Sequence, residues 1–129
     1  MKGSLLTGLN VSKNFNEEVP VELMIDLHEF IGINKDINET NFKGLNKLQV
    51  LENFPNLEIN EDLNDGWLKE DTQETETKFF ERVKKVIVRF KEMAVKSDDE
   101  YTVCIITHSL FLNCFFSILT NTEILMNSK

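Results

Sequence analysis

Basic side chains are scarce in this sequence. Lysine and arginine number 14 against 22 aspartates and glutamates, a net charge of −8 at pH 7. No basic cluster exists beyond Lys84-Lys85. A surface of this sign repels polyanions, so nucleic-acid backbone and anionic membrane are poor partners. Cysteine is scarce too. Cys104 and Cys114 both sit in apolar surroundings. As a disulfide pair they would suit an exported protein; as buried thiols they suit the cytosol, which the apolar setting favours. Neither neighbours a second Cys or a His at metal-ligand spacing, so neither a metal nor a cofactor is expected. The N-terminus carries one lysine and a short Leu5-Leu6 run, too little for a signal peptide. Long apolar runs are absent except for Val103–Leu119. That stretch is slightly short for a bilayer and contains His108, Ser109, Asn113 and Ser117. Its flanks, Asp98-Asp99-Glu100 and Glu123, offer no basic side. It reads as core rather than as a membrane span, and the protein as cytoplasmic. No internal repeat is present.

What is there suffices for a folded domain. The 129 residues are 41% hydrophobic and 28% charged, which fits one globular domain over residues 1–129. Its organising stretch is Tyr101–Leu119. Val103, Ile105, Ile106 and Thr107 are β-branched and predict a strand buried on both faces. His108-Ser109 interrupts the run. Leu110, Phe111, Leu112, Cys114, Phe115, Phe116, Ile118 and Leu119 then predict a buried helix. One imidazole therefore stands where a strand ends and a helix begins. That position offers free N–H groups and positive dipole potential to an anion. A histidine that merely caps the turn fits the same pattern.

Taken in order, Ser4–Phe15 reads as a short helix and Asn14–Glu18 as a polar turn. Val19–Leu27 reads as a strand over about Val21–Leu27, with Pro20 at its entry. Glu29 follows the strand just before Gly32. It is placed as a general acid would be, and equally as a solvated turn residue would be. Residues 32–68 carry repeated loop signals and read as an irregular, lid-like excursion. A short helix around Leu45–Glu52 is possible within it, and Trp67 pins it to the body. Asp71–Lys96 reads as a helix, with Asp71 and Glu74 spaced as a capping box. Phe80, Val83, Ile87, Phe90 and Ala94 form its apolar stripe, widened by Phe79, Val86 and Met93. Arg82 and Arg89, the only arginines, read as a solvated or partly snorkelled face. Ser97–Glu100 reads as an acidic turn, and Thr120–Lys129 as a frayed polar tail. The alternation of strand-like and helix-like segments predicts an α/β fold with Val103–Thr107 central.

The ordered set is Leu27-His28-Glu29 before a glycine, an excursion to Trp67, Glu74-Thr75 with Arg82 eight residues on, and Val103-Cys-Ile-Ile-Thr-His108. This resembles the second half of the histidine phosphatase superfamily, the phosphoglycerate-mutase-like proteins, over roughly Leu5 to Leu119. The resemblance implies a partial three-layer α/β/α sandwich missing its first strand. It implies phosphomonoester hydrolysis or phosphoryl transfer through a phosphohistidine in the complete form. The substrate there would be a phosphorylated small molecule or a phosphoprotein. His108 matches the family's second histidine and Glu29 its proton donor, with Ser109 beside His108 as a substrate-binding residue. Positive donors around the phosphoryl oxygens and an acid in line with the leaving group are what this chemistry needs.

The departures are as informative. The family's nucleophile lies in an Arg-His-Gly motif, and this chain has none. The other histidine, His28, matches no family histidine. Leu5-Leu6-Thr7-Gly8 resembles a helix start that a phosphate-binding arginine shortly precedes, and Gly3 stands in the arginine's place. The chain thus looks like a family member without its nucleophile and arginine clamp, as a truncated product or a degenerate paralogue would be. Two functions follow as expectations. One is a piece of a phosphatase or phosphomutase, inactive by itself. The other is a pseudoenzyme or protein-interaction module. An unpaired edge on the central strand would favour oligomers or aggregates.

Overall fold

A computed structural model of the chain describes residues 2–15, 19–30, 44–67, 74–96 and 102–122. Four α-helices dominate them: α1 (Lys2–Ser12), α2 (Lys47–Asn53), α3 (Glu76–Lys96) and α4 (Ser109–Thr120), with a single 3-10 turn at Ile25–Leu27. Helix takes 57% of the described residues and bridge residues 2%, with no sheet. The α/β expectation, including the partial three-layer sandwich, is overturned. The physical reason lies in pairing. β-branched residues favour an extended backbone, but a strand becomes part of a sheet only where a neighbour completes its ladder. Residues 102–107 form neither helix nor strand, and no described segment pairs with them. The segment expected as a strand over Val21–Leu27 makes one isolated parallel bridge, Glu22 with Glu58, and then turns into the 3-10 helix.

The chain divides into two compact units. The first comprises residues 1–25 and 31–73. Its core gathers Leu5 from α1, Leu23 and Ile25, Val50 from α2, and Phe54, Leu57 and Leu63 after it. The Glu22–Glu58 bridge lies here: Leu23 N–H donates to Glu58 O (2.8 Å) and Glu58 N–H to Val21 O (2.9 Å). α2 begins with a reciprocal capping box. Asn46 Oδ1 accepts from Gln49 N–H and Gln49 Oε1 accepts from Asn46 N–H, both at 3.0 Å. Trp67 packs on this core, as its expected pinning role requires. Gly44, at φ +74°, lies so close beneath the indole that a Cβ there would overlap it. Residues 44–67 of the lid-like excursion are thus largely ordered around α2 and this core. Residues 32–43 and 68 of the excursion lie outside the described residues, as does most of the Asn14–Glu18 turn.

The second unit comprises residues 26–30 and 74–129. α3 and α4 pack against each other through Phe79, Val83, Val86 and Ile87 on one helix and Phe111 and Cys114 on the other. The rings form a chain. Phe79 meets Phe111 edge-on at 6.2 Å, and Phe111 stacks on Phe115 at 6.4 Å. The buried face of α3 is rotated from the expected stripe: Ala94 is exposed and Arg82 is inside. Asp71 of the expected Asp71–Glu74 capping box lies outside the described residues; Glu74 precedes the helix and directs its carboxylate to Arg82. Thr75 caps α3, its hydroxyl accepting from Lys78 N–H at 3.3 Å. The Ser97–Glu100 turn and the tail beyond Thr122 lie outside the described residues. Among the described residues no helix is long and apolar enough to cross a membrane.

Candidate functional site

The second unit is organised around one buried guanidinium. Arg82 is 8% exposed. Its Nε and Nη2 donate to the two carboxylate oxygens of Glu74 at 2.7 and 2.8 Å, a two-pronged fork that matches both planes. Its Nη1 donates to Asp26 O (2.7 Å) and His28 O (2.8 Å). The faces of the group meet aromatic rings, with Cζ 5.1 Å from the Phe79 centroid and 5.6 Å from that of Phe111. The charge and four of the five N–H donors are therefore compensated inside the unit, with two rings against the group. The solvated reading of Arg82 is wrong. Positions 79, 82, 83 and 86 share one helical face, and three of them are apolar. That spacing was the available signal: a cation set into an apolar stripe is either an error or a paired charge.

This clamp fixes the segment that carries Glu29. With Asp26 O and His28 O both held, residues 26–30 lie along the start of α3, and Phe30 packs on Phe79 at 5.0 Å. A second tie comes from the other side. Thr107 Oγ1 donates to Leu27 O. The residues just before His108 are thereby joined to the residues just before Glu29. Glu29 is half-buried, and its Oε1 accepts from Phe30 N–H at 3.0 Å.

His108 is the N-cap of α4, with extended backbone at φ −115° and ψ 160°. Its carbonyl accepts the first helical hydrogen bond, from Leu112 N–H at 3.0 Å. Its imidazole makes no capping hydrogen bond, so the simple capping role does not describe the side chain. Ser109 is the exposed first residue of the helix. The N–H groups of Ser109, Leu110 and Phe111 precede the first complete helical bond and are the donors such a terminus presents. His28 enters the clamp through its carbonyl. Gly3 lies within α1, in the other unit, with open space around its Cα.

The thiols differ from each other. Cys104 is exposed, contrary to the expectation of two buried thiols, and Cys114 is wholly buried; both are free. Burial pushes the Cys114 thiol up to about 11, with Arg82 and Lys84 pulling weakly the other way. Among the described residues no group of three metal-ligating side chains converges.

Comparison with protein-family models, with curated proteins and with solved structures found no match to this chain.

Proposed function

We propose that this chain carries the proton-donor and second-histidine half of a phosphoglycerate-mutase-like histidine phosphatase site, and that by itself it holds phosphate weakly without turning over a phosphomonoester. Glu29 is the acid of that site. His108, with Ser109 and the first N–H groups of α4, receives the phosphoryl oxygens. The complete form would act on a phosphorylated small molecule or a phosphoprotein. The observation that supports this reading is the pair of ties on residues 26–30: the Arg82 clamp on Asp26 and His28, and the Thr107 bond to Leu27. Through them, residues far apart in the sequence, which the family pattern groups in one site, belong to one compact unit. Arg82 is committed to Glu74 and two carbonyls, and Arg89 is farther along α3. The chain therefore brings a histidine and a helix terminus to the anion, with no arginine clamp.

Such a site is weak. One charge–anion contact in a wet cleft is worth about 1 kcal/mol and is screened by salt, which corresponds to binding in roughly the millimolar range. The test is an NMR titration of the purified chain with inorganic phosphate, paired with an aryl phosphate hydrolysis assay. Movement of the His108 ring signals, with those of His28 still, is the expected result, together with no hydrolysis above the blank. Static His108 signals overturn the site. Hydrolysis that disappears in His108→Ala overturns the non-catalytic reading.

A further inference from the structure

The sequence spaces its basic side chains apart, and the fold gathers them on one helix. α3 carries seven of the chain's 14 lysines and arginines against three carboxylates, Glu76, Glu81 and Glu92. It turns Phe79, Val83, Val86 and Ile87 inward onto α4. On its outer side Lys84, Val88, Lys91 and Val95 follow at spacings of four, three and four. On an α-helix those positions form a single stripe about 16 Å long. All four are exposed, Val88 at 53% and Val95 at 85%. Lys85 and Lys96, also exposed, flank the stripe on one side. A lone apolar residue on a surface is ordinary. Here two valines alternate with two lysines along one line of a helix whose opposite face is fixed in the core. The line is read in order by a partner that alternates the complementary groups.

We infer that this outer face of α3 docks a helical segment of another protein, one whose own stripe alternates carboxylates with aliphatic side chains at the same spacing. Charge complementarity selects the carboxylates, and the exposed valines select the aliphatic groups between them. A second copy does not supply such a stripe from its described helices. α1 and α4 have no acidic residue, and α2 has only Glu52. Another α3 would set its four outer lysines against the same four. The acidic stretch Glu58–Asp65 buries Leu63 and packs Ile59 into the core of the first unit, so its apolar groups are already used. A membrane surface is a poor fit, because a helix lying in a bilayer interface needs a broad apolar face and this one offers two valines. Duplex nucleic acid would leave both valines unused. The inference stands apart from the phosphate reading and survives if that reading fails.

A fluorescein-labelled synthetic helical peptide, with Glu and Leu alternating at the four-three-four spacing, tests it by anisotropy against the full chain. Two control peptides change one feature each: Lys replaces Glu, or Ala replaces Leu. The Glu–Leu peptide is expected to bind saturably below about 1 mM, at least about fivefold more tightly than either control. A net charge of −8 predicts general repulsion of an acidic peptide, so any attraction is local to a positive face. Lys84→Glu combined with Lys91→Glu should weaken binding by about tenfold. Val88→Ser combined with Val95→Ser should weaken it by about threefold, with the circular dichroism of the chain unchanged, since serine and valine have similar helix propensities. Absence of saturable binding overturns the inference, as does binding indifferent to these substitutions. A Glu–Ala peptide that binds as tightly overturns it too, by reducing the face to charge alone. Phosphatidylserine vesicles or duplex DNA that bind more tightly than the peptide, and lose binding in the lysine variant, overturn it by assigning the face to another class of partner.

Discussion

A guanidinium taken out of water must satisfy its donors or destabilise the fold by several kcal/mol. Arg82 does so with four hydrogen bonds from 2.7 to 2.8 Å and two ring contacts. It follows that its removal is costly for what it leaves behind. Arg82→Ala strands the Glu74 carboxylate, whose side chain is only 12% exposed, and frees the carbonyls of Asp26 and His28. A loss of about 3–5 kcal/mol is expected by denaturant titration. Arg82→Lys should recover only part of it, because an ammonium cannot reproduce the fork and the two carbonyl bonds together. Truncating Glu74 in the Arg82→Ala background removes the stranded charge, so the double variant should be less destabilised than the two single losses added. A coupling of about 0.5–3 kcal/mol is the expected size, and strict additivity would show that the clamp contributes no pairing.

At the scale of elements, helices were legible in the sequence and strands were not. The apolar run after His108 becomes α4 from Ser109, and the expected helices near Leu5 and Leu45 become α1 and α2. A helix satisfies its backbone locally, so its pattern is contained in its own residues. A sheet needs a second segment, and nothing in the Val103–Thr107 pattern says whether one is present. The site was partly legible for the same reason. His108 at a helix start could be read locally, while the burial of Arg82 depended on residues 26–28, more than fifty positions away. Caps divide likewise. Glu74, expected to cap, gives its carboxylate to Arg82, a partner eight residues on; Asn46 and Gln49 have the spacing of a capping box and form one. With seven residues, α2 depends on that cap and on Val50 for its stability. Asn46→Ala should cost about 1 kcal/mol, and Asn46→Asp much less, since an aspartate can accept from Gln49 N–H as asparagine does. Thermal melts of both variants check this, and equal losses would show that the cap hydrogen bond is not the cause.

Across the whole molecule, apolar side chains are shared between two cores, and a net charge of −8 surrounds them. One titrating group connects the second core to solvent conditions. The Cys114 thiol is wholly buried between α3 and α4, and burial raises it from 9.0 to about 11. The sign of its effect on stability is fixed by proton counting. Below pH 9 the thiol is protonated in both the folded and the unfolded chain, and its full contribution is present. Between 9.0 and about 11 the unfolded chain releases the proton while the folded one keeps it, so stability falls as pH rises. Above that range both forms are ionised and no further loss comes from this group. A displacement of this size corresponds to about 3 kcal/mol at most. The measurement is a comparison with a variant that lacks the thiol. Denaturant unfolding of the wild type and Cys114→Ala is followed by helical circular dichroism from about pH 8 to about pH 11. Cys114→Ala starts less stable, because it leaves a small void beside Phe111. The wild type should nevertheless lose more stability across the window, so that the two curves converge at the alkaline end. Parallel curves would mean that the thiol ionises equally easily folded and unfolded, which a side chain sealed between the two helices cannot do.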